Sequence, residues 1–248
     1  MRKRSEPALR LWLQENKIKG VLFDLDDTII KTNEIFNVAV QQVVALYAKV
    51  LPHLSVAEVG EIFSKINMVA HSRYSVNPQR WQYVIPEFEQ EMSIQKSQAE
   101  LALAILANIY VQRPEFEENA EAILRLIKEW GLLVGLVTHA NVEWTLFKLS
   151  SLGLDGFFDH VEIVSEDKPH KNSDDWKSGA GKIQLLPKQL LAVGDNIKGD
   201  VQAAVEAGFG QVIWVDKKNG WQLYRQGELP SGIHTVKSIN GLLTLSSS

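Results

Sequence analysis

Three aspartates follow an apolar run directly in Val21-Leu22-Phe23-Asp24-Leu25-Asp26-Asp27-Thr28. Carboxylates this close repel one another unless a cation or solvent compensates, and a cation is the simpler account. On extended backbone alternate side chains share a face, so Asp24 and Asp26 point together and Leu25 points away. A second acidic turn, Gly194-Asp195-Asn196-Ile197-Lys198-Gly199-Asp200, follows the apolar run Leu190-Leu191-Ala192-Val193. Oxygen donors from two such turns, without His or Cys, suit Mg²⁺. The plainer alternative makes these aspartates helix caps and turn residues. Two clusters, each closing an apolar run, favour the metal.

Both turns must then lie at one edge of a sheet. Short apolar runs alternate with amphipathic stretches, the pattern of βαβ units in a mostly parallel sheet, and such sheets bind ligands at their carboxyl edge. The spacing predicts strands over residues 20–24, 132–138, 161–164, 190–194 and 211–216. It predicts a helix opened by Pro114, carried by Ala120, Ile123, Leu124 and Ile127 and closed by Gly131, and another capped by Asn141 and closed by Gly153. Far more chain separates the first strand from Pro114 than a crossover helix needs. Residues 32–113 lack a convincing strand and space their apolar residues helically, from Ile35, Val40 and Val43 to Leu106 and Ile109. The expected organisation is an α/β core of residues 1–31 and 114–248, with an all-helical domain of residues 32–113 inserted. Phe36, Trp81, Tyr83 and Phe88 are either that domain's core or a pocket wall, with core the commoner fate of such residues.

Composition narrows the chemistry. The 248 residues contain no cysteine, which excludes a thiol nucleophile, a thiolate metal site and a disulfide framework. A formal charge of -4 offers no bulk attraction to nucleic acid or an acidic membrane. The basic start Met1-Arg2-Lys3-Arg4 is not followed by an uninterrupted apolar stretch, and no run reaches membrane-spanning length, so a cytoplasmic location is expected. No feature fixes the oligomeric state.

Asp24-Leu25-Asp26-Asp27-Thr28 resembles the DxDxT motif of the haloacid dehalogenase-like hydrolases, and Gly194-Asp195 with Asp200 resembles their GDxxxxD motif. Thr138 and Lys168-Pro169 are similar to the threonine and lysine between them. The resemblance runs from residue 20 to about 216 and is closest to the phosphatase branch, with a helical cap after the first motif. It implies a Rossmann-like core and a Mg²⁺-dependent hydrolase of a small phosphorylated metabolite. It also implies that Asp24 is the nucleophile forming an aspartyl-phosphate, while Asp26 protonates the departing alcohol and then activates water. The metal would be held by the Asp24 carboxylate, the Asp26 carbonyl and Asp195, with Asp200 behind them. Thr138, His139 and Lys168 would hold the phosphoryl group. The family usually has asparagine where His139 stands. Lys171 rivals Lys168, which is favoured because proline follows it directly.

A phosphomutase would keep every one of these residues. A phospho-accepting receiver module shares the acidic pocket but is about half this length and has no helical insertion. In the inserted domain, His71, Arg73, Arg80 and Arg113 are the cationic candidates for a substrate's distal group, with surface charge as the plainer assignment. By the same resemblance the cap closes over the site, with hinges near Thr32 and Arg113. The C-terminal part, with Trp214 and Trp221, is expected to finish and cover the sheet and carries no predicted chemistry.

Overall fold

The computed structural model describes residues 8–217 and 221–246. In chain order its elements are α1 (Ala8–Glu15), β1 (Gly20–Phe23), α2 (Thr32–Ala48), α3 (Val56–Tyr74), α4 (Arg80–Glu91), α5 (Ala99–Ala107), α6 (Ala120–Glu129), β2 (Leu133–His139), α7 (Val142–Ser151), β3 (His160–Val164), α8 (Ser173–Lys182), β4 (Leu190–Gly194), α9 (Ala203–Ala207), β5 (Gln211–Val215) and β6 (His234–Val236). The strands form one parallel sheet in the order β3-β2-β1-β4-β5-β6. Five strands fall where alternation of apolar runs places them. The sixth is only three residues long and has no apolar run of its own; it exists through its pairing with β5, Ile213 opposite His234.

Alternate strand residues serve the two faces of the sheet. Val21, Phe23, Val134, Leu136, Leu191 and Val193 pack with Leu9, Trp12 and Leu13 of α1 and with Ile123, Leu124 and Ile127 of α6. Leu22, Val137, Ala192 and Val212 face the other way, onto Trp176 and Ala180 of α8 and onto α9. All four residues of β1 are buried, as a central strand covered on both sides requires. The result is a three-layer α/β sandwich.

Helices α2 to α5 bury a separate core, in which Tyr47, Phe63 and Phe88 stack at ring distances of 4.9 and 5.5 Å. Phe88 is therefore core. Helix α6 does not begin at Pro114. Residues 115–117 instead run antiparallel to residues 29–31, with Lys31 N donating to Glu115 O at 2.8 Å and Glu117 N to Ile29 O at 2.8 Å. This extended pairing delays the helix until Ala120, after Asn119 in a left-handed conformation. Helix α7 does start at Asn141, whose side chain accepts from Trp144 N at 2.9 Å.

Candidate active site

Strand β1 lies beside β4 with Phe23 opposite Val193, so the chain leaves both strands at the same edge and sets Asp24 next to Gly194-Asp195. Asp24 N donates to Val193 O at 2.8 Å. Carboxylate oxygens of Asp24, Asp195 and Asp200 lie within 4.8 Å of one another, and all three residues are buried. Asp200 reaches them by a close approach: its carboxylate packs against Gly194, where any Cβ would overlap it, and accepts Asn196 N at 2.9 Å.

Among the described residues one cation faces this triad, and it is Lys171. Its ammonium donates to Asp24 and to Val137 O at 3.0 Å, and pairs with Asp200 at 2.5 Å. Lys168, the favoured residue from sequence, is 45% exposed and pairs with Asp175 at 2.6 Å, away from Asp24. The cause is the cap of α8. Asn172 accepts from Asp174 N and Asp175 N while Asp175 accepts Asn172 N, a reciprocal box that fixes the helix start. The residue before the cap then points inward, and Asp175 draws Lys168 outward. The motif Asn172-x-x-Asp175 was the available signal.

Buried negative charge exceeds buried positive charge here. Desolvation pushes the Asp24 carboxyl up to about 7 despite Lys171, and burial with Asp24 and Asp200 nearby raises Asp195 well above the carboxylate range. Three carboxylates against one ammonium leave two charges that a divalent cation would balance, and the all-oxygen donor set fits a hard ion such as Mg²⁺. Among the described residues Asp24, Asp195 and Asp200 could hold such an ion, with Asp200 positioned by Lys171 and Asn196.

The Asp26 carboxylate turns elsewhere. It accepts from Thr32 Oγ1 at 2.5 Å and from Lys148 Nζ at 2.6 and 2.8 Å. Lys148 is fully buried, with its ammonium 4.3 Å from the Trp144 ring centre. Sequence reasoning missed it, although a lysine among Trp144, Thr145 and Leu149 on the buried stripe of α7 is a legible anomaly. Asp27 accepts from Asn33 N at 3.0 Å and faces Lys217 at 3.4 Å; burial pushes its carboxyl up to about 6.

Thr138 and His139 end β2 beside β1. The Thr138 hydroxyl and His139 Nε2 are buried without a partner among the described residues. Burial and Lys171 push the His139 imidazole down to about 4, so it is neutral near pH 7.

Asp24, Asp26, His139, Lys171, Asp195 and Asp200 line a cavity of about 280 Å³, and α2, α3 and α4 supply another of its walls. Of the four cationic candidates only Arg80 lines it. Arg73 bonds Tyr83 at 3.0 Å, His71 packs edge-on against Trp221, and Arg113 is exposed. The C-terminal segment, expected to carry no chemistry, adds Trp221 and Tyr224 to the wall. Burial and the nearby Asp195, Asp24 and Asp26 raise the Tyr224 phenol well above its usual range. Two bonds tie the wall to the lysine loop: Ser75 Oγ to Pro169 O at 3.0 Å and Asn77 Nδ2 to Asp167 at 3.2 Å.

A parallel α/β sheet with an acidic carboxyl edge makes a Rossmann-like core with its site where such folds bind ligands. The family model of the haloacid dehalogenase-like hydrolases matches residues 18–208, and the chain belongs to that family. It is 25% identical over 201 residues to the glyceraldehyde 3-phosphate phosphatase of Pyrococcus furiosus, covering 80% of each chain. To the N-acylneuraminate-9-phosphatase of Rattus norvegicus it is 24% identical over 214 residues, 83% of this chain and 85% of that one. A haloacid dehalogenase-like hydrolase from Xanthomonas campestris superposes with a TM-score of 0.72 at 15% identity, over 92% of this chain and 93% of the other. Among the described residues no helix is long and apolar enough to cross a membrane.

Proposed function

We propose that the protein is a Mg²⁺-dependent phosphomonoester hydrolase acting in the cytoplasm on a small phosphorylated metabolite through Asp24. The observation that carries this reading is the Asp24 carboxylate held by Lys171 beside Asp195 and Asp200 at the carboxyl edge of the sheet. The named phosphatases among its relatives support the reaction class.

A phosphate monoester repels a carboxylate, and a bound divalent ion supplies the positive charge that offsets this. Lys171 contributes further positive charge and aims the Asp24 oxygen. That oxygen attacks phosphorus, the P–O bond to the alcohol breaks, and Asp26 gives the departing oxygen its proton. Water then attacks phosphorus of the aspartyl-phosphate; Asp26 takes the proton of that water, and the Asp24 carboxylate leaves as it began. Thr32 and Lys148 hold the Asp26 carboxylate turned from the triad, so it has to leave them and bring a proton with it to reach the departing oxygen. The Thr138 hydroxyl, without a partner among the described residues, would donate to a phosphoryl oxygen, with neutral His139 beside it on the cavity wall. Residues 32–113 act as the cap that selects the substrate and excludes water.

The test is phosphate release from an aryl phosphate. It is expected to require Mg²⁺, to stop with EDTA, and to fall by at least about a thousandfold in Asp24→Asn, the scale on which removing a nucleophile acts. Full activity in that variant would sink the assignment. Turnover that needs a bisphosphate activator would indicate a mutase instead.

A further inference from the structure

We infer that the substrate carries a second anionic group, a carboxylate or a second phosphate, and that the Arg80 guanidinium on the helical wall of the cavity receives it. The inference rests on the phosphatase reading and names its substrate class.

Arg80 is 2% exposed. Aromatic rings surround its guanidinium carbon, with centroids at 4.4 Å for Trp81, 5.5 Å for Phe36 and 5.6 Å for Trp221. Among the described residues it has no acidic partner. Nη1 donates to Ser75 O at 2.9 Å, while Nε is buried with no hydrogen bond at all. A guanidinium removed from water, held in place by rings and left with an idle donor is an arrangement that an anion completes. Every other buried cation of the site already has a carboxylate: Lys171 has Asp24 and Asp200, and Lys148 has Asp26. Arg80 alone among the three has none.

Its position fits recognition rather than catalysis. Arg80 lines the same cavity as Asp24 and Asp195 but comes from the helical segment. A molecule with its phosphoryl end at Asp24 would extend toward this wall between Phe36, Trp81, Trp144 and Trp221. Asn67 Oδ1, also on the wall, is a second buried atom without a partner and offers an acceptor to a substrate hydroxyl. Aromatic walls and one fixed guanidinium select a short phosphomonoester with a charged far end. A neutral analogue would leave the guanidinium unpaired, which is the stronger form of discrimination. The competing assignment is structural: Arg80 merely braces Ser75, which has a positive φ of 50° after α3.

The experiment uses the full chain with Mg²⁺ and a panel of linear ω-phosphooxy carboxylates of graded length. Each is paired with the ω-hydroxyl compound that replaces the carboxylate, and a matching α,ω-bisphosphate series is run beside them. The readout is the ratio of kcat/KM for the charged member to that of its neutral partner. Wild-type protein is expected to favour a charged member by about thirty- to a hundredfold at one length, the scale of a desolvated charge-assisted pair. The series that shows the preference tells carboxylate from phosphate. In Arg80→Gln the ratio is expected to collapse towards one. In Arg80→Lys, which keeps the charge and loses the fork, it is expected to fall about tenfold, and this variant stands in if the first does not fold. A wild-type ratio near one at every length in both series, or a ratio unchanged in the variants, overturns the inference. If nothing in the panel is hydrolysed, calorimetric binding of the same pairs to wild-type protein reads the ratio directly. A preference there upholds Arg80 and its absence overturns the inference, while the phosphatase reading stands or falls on the aryl phosphate.

Discussion

Replacing each of the two rival lysines separates their roles by a margin the structure sets. Lys171 is 3% exposed and spans Asp24 and Asp200, themselves buried. Lys171→Met removes the cation that pairs with the triad and leaves buried carboxylates without it. Breaking a buried pair in this way costs about 3–5 kcal/mol. Lys168 is 45% exposed and pairs with one carboxylate at the helix cap. Solvent screens that pair, so Lys168→Ala should cost no more than about 1 kcal/mol. In a chain of this size each kcal/mol moves the midpoint by about 2–4 °C, which gives roughly 6–20 °C for Lys171→Met and at most about 4 °C for Lys168→Ala. Thermal melts of the metal-free proteins at pH 8 measure this. The Lys171 deficit should shrink at pH 5, because Asp24, with its carboxyl already near 7, takes up a proton and loses the charge that needed a partner. Equal deficits for the two variants, or a larger one for Lys168→Ala, would refute the geometric argument. So would loss of phosphate release in Lys168→Ala with retention in Lys171→Met.

Mg²⁺ should raise the melting temperature more at pH 8 than at pH 5.5. The Asp24 carboxyl is raised from 3.8 to about 7, so its contribution to the metal-free fold is whole below about pH 4 and is lost as pH rises through 7, where the ion takes the place of the proton. Equal shifts at the two pH values would contradict this. Gly194→Ala forces a methyl group into the Asp200 carboxylate and should destabilise by about 1–3 kcal/mol while lowering phosphate release. The control Gly181→Ala, with nothing within 4 Å of its added carbon in α8, should be neutral or stabilising by about 0.5–1 kcal/mol on denaturant titration. A larger loss at Gly181 than at Gly194 would contradict the packing described.

The sheet was legible wherever strands are buried on both faces, because burial leaves an uninterrupted apolar run: Val21-Leu22-Phe23 and Leu190-Leu191-Ala192-Val193 could scarcely be anything else. Helical period alone suggested residues 32–113 as a helical stretch, and the described elements within it, from Thr32 to Val111, are helical. The start of α6 was not. Pro114 looks like a helix opener, but residues 115–117 find backbone partners in residues 29–31, and that long-range pairing outweighs the local preference. The acidic residues could be gathered from sequence because each closes a strand. Their cations could not be assigned by the same means. Which lysine faces Asp24 depends on where α8 begins, and Lys148 meets Asp26 across 122 positions of sequence. The contribution of Trp221 and Tyr224 depends on a return of the chain that no local pattern records.

The ties from Ser75 to Pro169 and from Asn77 to Asp167 give the molecule an interlock. They fasten the helical lobe to the stretch of backbone that aims Lys171, so any displacement of that lobe away from this stretch has to break both.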